Sequence, residues 1–334
     1  MRFLSALCVC LWCVSGFAGP ATESFITDHV QLGVKTWFSQ GADEWQISFS
    51  ESIPVYDDSL YYEGRSRLEW ENLDNTIPVL FGEVRLLSWL RLGGSYGSSA
   101  ISGGNNTDSD WLTSTDLGYD DQMISQSIAD TEGDTTMYDI NLYVRLNDLL
   151  TVYPKDLKGN LDAYIGYQSY KDELNDHNGV QTVDFDGNPV EEPFDGLDST
   201  FDFDWSAFRL GLRGEYPVLQ KLLVKADAAL LAGAEYEGEG FWNLRTDYKS
   251  TPPNFTQTAD SGNGYDVKLG LAYKPIPYVA IEAGYWFFSL SASDGTETTY
   301  YADGTTSGDD ESIETLDDVK SARDGFYVAL SGNF

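Results

Sequence analysis

The chain has 334 residues and a formal charge of −34 at neutral pH, from 54 acidic against 20 basic side chains. So acidic a surface excludes unaided nucleic-acid binding, which needs a positive field against phosphate. It favours cations, basic peptides or simple hydration. Aromatic residues are abundant (21 Tyr, 17 Phe, 9 Trp), Gly reaches 32, and Ala- and Leu-rich helical stretches are scarce, which points to a β-protein.

The first element reads as a secretory signal peptide over residues 1–18. Met1-Arg2 gives a positive start, Phe3 to Val14 an apolar core, and Gly16-Phe17-Ala18 a small-x-small cleavage site. Removing it takes the charge to −35, because Arg2 is its one charged side chain. All three cysteines, Cys8, Cys10 and Cys13, lie inside it, so the exported chain uses no disulfide. The remainder, 19–334, reads as a single domain. It has no run of about eighteen apolar residues, so no helical membrane span is expected.

Ten segments then alternate with a period of two, which puts successive side chains on opposite faces of a strand. The apolar set of the first is Val30, Leu32, Val34 and Phe38, against Gln31, Gly33, Lys35 and Trp37. The second and third set Leu80, Val84 and Leu86 against Phe81, Glu83 and Arg85, and Leu90, Leu92 and Tyr96 against Arg91, Gly93 and Ser95. The fourth and fifth set Tyr138, Ile140, Leu142 and Val144 against Asp139, Asn141, Tyr143 and Arg145, and Leu161, Ala163, Ile165 and Tyr167 against Asp162, Tyr164, Gly166 and Gln168. The sixth and seventh place Phe208, Leu210 and Leu212 opposite Arg209, Gly211 and Arg213, and Leu222, Val224 and Leu230 opposite Lys225 and Asp227. The eighth and ninth place Tyr265, Val267, Leu269 and Leu271 opposite Asp266, Lys268 and Gly270, and Val279, Ile281, Tyr285 and Phe287 opposite Glu282, Gly284 and Trp286. The tenth ends the chain, with Phe326, Val328, Leu330 and Phe334 against Tyr327, Ala329, Ser331 and Asn333.

The second face is small, aromatic and charged in both signs, unlike the water-facing side of a soluble sandwich. The pattern predicts an all-β fold, a ten-stranded antiparallel transmembrane β-barrel with its apolar face to lipid and a salt-bridged, hydrogen-bonded interior. Closure leaves no strand edge exposed to lipid. Ten strands make a barrel little wider than the eight-stranded ones that side chains fill, so an open pore is not the default. Connections alternate: Ser88-Trp89, Pro217 to Lys221, Lys274 to Pro277 and the moderate Asn147 to Gly159 are short. Ser52 to Arg65, Asn105 to Thr135, Asp176 to Thr200, Leu244 to Gly264 and Asp294 to Ser321 are long and polar. That gives five long outer loops and both termini in the periplasm of a Gram-negative outer membrane. The extended character of the sequence beyond the spans predicts a wall rising above the lipid.

Certain segments carry more. In order come Ser66-Arg67-Leu68-Glu69-Trp70, Gly93-Gly94, then Ser102-Gly103-Gly104-Asn105-Asn106-Thr107-Asp108-Ser109-Asp110-Trp111, and later Gly166-Tyr167-Gln168. This order resembles the omptins, ten-stranded outer-membrane aspartyl proteases. The resemblance implies that Asp108 and Asp110 sit at the extracellular rim, where the omptin Asp pair helps hold the attacking water. It also implies a lipopolysaccharide contact in which Tyr167 is kept and Lys171 stands for a basic ligand. Ser169 replaces an acid there, and Asp202 and Asp204 replace a base. The terminal Phe334 resembles the signal read by the barrel-assembly machinery.

The sequence departs from the family at the His-Asp dyad expected on the loop side of the seventh strand. There it runs Gly238-Glu239-Gly240-Phe241-Trp242-Asn243-Leu244-Arg245, with Asn243 at the His position and Phe241 at the Asp position. An amide does not take a proton near neutral pH, and a missing general base costs about 10²–10⁴ in rate. The two histidines are His29, at the start of the first strand, and His177, in the third outer connection. Trp242, Asn243 and Arg245 read as a rim cluster, either packed or ligand-binding. Asp184-Phe185-Asp186-Gly187-Asn188 has partial Ca²⁺-loop spacing and equally the composition of a turn. Asp309-Asp310-Glu311 and Asp317-Asp318 read as solvated acid. No other cofactor or metal is expected. Three functions stay open: a non-proteolytic barrel with a structural or surface-binding role through acidic outer loops, an endopeptidase using Asp108 and Asp110 with a non-standard base such as His177, and a small cation-preferring porin.

Overall fold

Period-two alternation needs an antiparallel partner on each side to satisfy its backbone, and here the strands find one all the way round. The computed structural model describes residues 29–55, 58–114, 116, 118–149, 159–302 and 311–334. The leader and Asp309-Asp310 lie outside the described residues. The strands are β1 (Val30–Val55), β2 (Asp58–Leu87), β3 (Leu90–Ser114), β4 (Tyr119–Arg145), β5 (Asn160–Val183), β6 (Pro189–Pro193), β7 (Ser199–Leu219), β8 (Leu222–Phe241), β9 (Phe255–Ile276), β10 (Val279–Tyr300) and β11 (Glu311–Asn333). One helical turn, α1 (Leu146–Leu149), follows β4. Ten strands form the ring; β6 only folds back on β5. The ring closes where β1 pairs with β11, in register Val34↔Leu330 and Phe38↔Phe326, and where β4 pairs with β5. The last residue completes the seam: His29 N and Val30 N donate to the Phe334 carbonyl at 2.8 and 3.0 Å, and Phe334 N donates to Val30 O at 2.8 Å.

The apolar sets face outward as predicted, with Leu80 and Phe208 each 65% and Phe326 70% exposed. Their partners face the bore. Arg213 bridges Glu83 (2.7 Å) and Asp162 (2.9 Å); Arg145 also pairs with Asp162. Arg209 pairs with Asp266 at 2.9 Å, and Lys225 with Glu282 at 2.8 Å. Lys35 lies over the rings of Tyr327 (4.5 Å) and Trp286 (4.9 Å). A cavity of about 130 Å³ lies among Lys35, Lys225, Asp227 and Glu282, room for a few waters. At membrane level the bore is an ionic filling in which Arg145, Arg209, Arg213 and Lys225 are paired with carboxylates, as the cost of burying a lone charge demands, while Lys35 rests on aromatic rings.

Two expectations need revision in extent. The five outer excursions exist, but most of their residues are strand: Ser52 pairs with Tyr61, Asn105 with Asp130, and Glu297 with Glu314. β2 alone runs 30 residues, about three times the 9–11 needed to span a bilayer. The interior of this tall upper wall is also mainly aromatic rather than ionic. Trp45, Leu68, Trp70, Leu174, Phe201, Phe203, Trp205, Tyr236, Phe255 and Val319 are buried there, with Trp70 against Phe201 at 4.9 Å and Trp205 against Tyr236 at 4.9 Å. The outer face at that height carries Glu69, Arg67, Glu44 and Lys320, linked at 2.7, 2.8 and 2.5 Å. The polarity of the faces inverts because the surroundings change from lipid to water. An apolar-outward template therefore recognises only the lower half.

Candidate functional site at the outer end

The acidic pair stands on β3 above a bulge. The β2–β3 and β3–β4 registers slip between Ile101 and Asn105, which turns the even-numbered residues inward from there. Asn106, Asp108 and Asp110 consequently share the inner face, opposite Trp70, Leu68 and Ser66 on β2. Trp111 is on the outside, with the Arg65 guanidinium 4.0 Å over its ring and Asp121 held by Arg65 through two bonds of 3.0 Å.

Asp108 is half-buried as a residue, yet its Oδ1 is fully covered and has no donor. Burial, reinforced by the Asp110 charge and opposed by Arg245, pushes its carboxyl well above the usual range. Asp110 is pushed up by burial too, against hydrogen bonds from Ser66 and Ser125 and the Arg245 charge. A third carboxylate, Asp176 on β5, forms the floor. It accepts from Trp70 Nε1 (3.1 Å), Asn106 Nδ2 (2.5 Å) and Thr131 Oγ1 (2.5 Å), and burial still raises it to about 6. Asn106 spends its amide on Asp176, and its Oδ1 has no donor. The arrangement is rich in acceptors and poor in bases. Among the described residues no cluster of three or more His, Cys, Asp or Glu is placed to hold a metal.

The remaining predicted residues take other places. A bulge at Gly233, with φ +58°, shifts β8 so that Tyr236, Gly238 and Gly240 are buried toward the bore. Asn243 follows on the loop: its Oδ1 accepts from Asp198 N (2.9 Å) and Ser199 Oγ (3.2 Å), and its Nδ2 donates to Gly196 O (2.8 Å). It is a tie for the loop before β7. Trp242 packs edge-on to Phe201 at 4.9 Å. Arg245 holds Asp247 through bonds of 3.0 and 2.8 Å and lies 4.1 Å over Tyr248. The rim cluster therefore divides into a packed ring, a structural amide and one half-exposed guanidinium that acts on the acidic pair through space.

Alternation along β5 turns Asp176 inward and His177 outward. Tyr167 sits at the top of the lipid belt between Tyr138 (6.4 Å) and Phe208 (6.3 Å). Lys171, above it, is bound by Asp202 at 2.8 Å and Glu173 at 3.1 Å. In the stretch with partial Ca²⁺-loop spacing, Asp184 Oδ1 accepts from Asn188 N (2.8 Å) and Asp186 N (3.0 Å), which lowers its carboxyl below the usual range. Those bonds make a closed Asx-type turn.

Asp176, Asn106 and Thr131 escaped the sequence reading. They fall in long polar stretches whose composition suits a loop, and the signal for them is phase: Asp172, Leu174 and Asp176 alternate as one inward row.

The fold is shared with a protein of known structure, and two others superpose only loosely. The outer-membrane protease OmpT of Escherichia coli superposes with a TM-score of 0.72 over 94% of this chain and 99% of that chain, at 14% identity. The translocator domain of the autotransporter NalP from Neisseria meningitidis (11% identity, 99% and 96% covered) and OprG from Pseudomonas aeruginosa (6% identity, 90% and 96% covered) give TM-scores of 0.37 and 0.33. No curated protein matches the sequence. The model of the family described as Pom, Protochlamydia outer membrane protein, matches residues 44–315. The chain is thus a β-barrel of the bacterial outer membrane, omptin-like in build, and belongs to the Protochlamydia outer membrane protein family.

Proposed function

We propose that this barrel is a non-proteolytic surface protein whose acidic outer end binds cationic groups. The observation that carries the reading is the company Asp108 and Asp110 keep: two serine hydroxyls and one guanidinium, Arg245, already held by Asp247. Hydrolysis by an omptin-like pair needs a proton acceptor beside the water. The position for that acceptor is Asn243, whose amide is committed to Gly196, Asp198 and Ser199. Asp108 Oδ1, covered and without a donor, instead favours an incoming ammonium or guanidinium. The aromatic filling of the upper bore supports a closed barrel over a cation-preferring porin. Contact with lipopolysaccharide, if made at Tyr167 and Lys171, competes with Asp202 and Glu173 for the ammonium. Phe334, 72% exposed at the seam, is the natural contact for the barrel-assembly machinery.

The test is titration of the detergent-solubilised barrel with an arginine-rich peptide, followed by intrinsic tryptophan fluorescence. Saturable, salt-sensitive binding that weakens in the double variant Asp108→Asn/Asp110→Asn is expected. Equal binding by wild type and variant contradicts the assignment of the site.

A further inference from the structure

Between the ionic filling and the aromatic core lies one polar layer built around Arg323 of β11. Its guanidinium crosses the bore. Nη1 donates to Leu73 O (2.9 Å) and Asn75 Oδ1 (2.8 Å) on β2; Nη2 donates to Asp172 Oδ2 (3.0 Å) and Nε to the Tyr170 hydroxyl (3.1 Å) on β5. The layer continues from Ser39 to Asn75 Oδ1 (2.6 Å), from Asn75 Nδ2 to Thr135 (3.0 Å), and from Thr135 to Asp172 Oδ1 (2.5 Å). It ties β1, β2, β4, β5 and β11 together. Arg323, Asp172 and Thr135 are each at most 1% exposed. Gly41 is required beneath the strut, because a Cβ there would lie 2.5 Å from Arg323 Nη2. The outward neighbours at this height are Glu44, Glu173 and Asp324, so the layer sits above the lipid belt.

A second carboxyl shares this layer. Asp43 of β1 is 2% exposed, and neither of its oxygens finds a donor. Ser321, which accepts from Trp205 Nε1 at 2.8 Å, stands beside it and draws its carboxyl down against the effect of burial, but without a bond of normal geometry. The groups facing Asp43 are Asp172 and Tyr170 on β5, Arg323 on β11 and Tyr236 on β8. Two buried carboxyls thus face one guanidinium, whose ion pair is with Asp172. Asp172 is the ionised partner, since Thr135, Tyr170 and Arg323 all donate to it. A second bare charge in so dry a place is prohibitive.

We infer that Asp43 is a neutral carboxylic acid and that its proton locks the polar septum closing the barrel. Ionisation would set two carboxylates against one guanidinium and loosen the strut. Burial first, then the Asp172 charge, raise the Asp43 carboxyl well above the ordinary range. An unfolded Asp43 is ionised above about pH 4. The folded chain therefore holds one more proton than the unfolded chain from there up to its raised titration point. Stability must fall as pH rises through that interval, by up to about tenfold in the unfolding constant per pH unit.

The experiment is urea unfolding of the refolded barrel in detergent micelles from pH 5 to pH 9, comparing wild type with Asp43→Asn. The variant mimics the protonated acid. The ratio of wild-type to variant unfolding constants should rise by up to about tenfold per pH unit. Parallel curves overturn the proposal. Infrared spectroscopy of the folded protein at pH 7 gives an independent readout, applied also to Asp43→Glu should the amide fail to fold. The C=O stretch of a protonated carboxyl should be present in wild type and lost or shifted in the variant. An unchanged carboxyl band in the variant overturns it as well.

Discussion

Replacing Arg323 by Met keeps most of the side-chain volume and removes the charge. Four donor bonds of 2.8–3.1 Å disappear, and Asp172, at 0% exposure, keeps only its two hydroxyl donors. Removing one partner of a buried ion pair costs about 3–5 kcal/mol, because an uncompensated charge is left behind. At about 1.4 kcal/mol per decade, the unfolding constant should rise by roughly two to four powers of ten. The assay is urea unfolding in detergent micelles at pH 7, with heat-modifiable gel mobility as a second measure of the folded barrel. Asp172→Asn added to Arg323→Met removes the stranded charge and should recover part of the loss, a coupling expected only if the two act as a pair. A loss below about 1 kcal/mol, the scale of an exposed ion pair, would refute the reasoning and mean that the septum is hydrated.

Other outcomes follow from the same geometry. Leu210→Arg, on the lipid face with its side chain 50% exposed, should cost about 2–4 kcal/mol near the bilayer midplane, measured by unfolding into urea from lipid vesicles. Asp176 titrates at about 6 in the fold against about 3.9 unfolded. Wild type should therefore lose roughly 3 kcal/mol relative to Asp176→Asn between pH 4 and pH 7, with nothing further above that. Asn243→Ala should lower stability by about 1–3 kcal/mol through the unsatisfied groups of the Gly196–Ser199 segment. Asn243→His should not create peptidase activity, because the side chain is turned to that segment. Single-channel recording in planar bilayers should give no conductance above the lipid background, since Arg323 and the aromatic layers above it fill the bore.

How far the sequence could be read depended on what surrounded each strand. Leu80, Phe208 and Phe326 met lipid, so an apolar residue at every second position was visible, and Arg209 and Asp266 between them announced an ionic bore. Trp45 and Ile47 continue β1 with the opposite logic, apolar inward and Glu44 and Gln46 outward. Water above the membrane makes that the stable face choice, and polar residues in the outer half then look like loop. Bulges hid the rest. The slip after Ile101 decides that Asp108 and Asp110 point inward, and Gly233 resets β8 ahead of the loop that carries Asn243; no period-two count survives such an insertion. The positions of Asp108, Asp110 and Asn243 as candidate residues were legible from residue order. Asp176 and Asn106 were not, because their partnership joins positions 70 residues apart. Asp43, Asp172 and Arg323 come from three separate strands and meet only once the ring is closed.

The central claim is that an omptin-like frame carries its acidic pair without the chemistry to cut. Incubation of the purified, lipopolysaccharide-supplemented barrel with fluorogenic peptides containing paired basic residues tests it most directly. The account predicts peptide binding and no release of fluorophore above buffer. Turnover abolished by Asp108→Ala contradicts it.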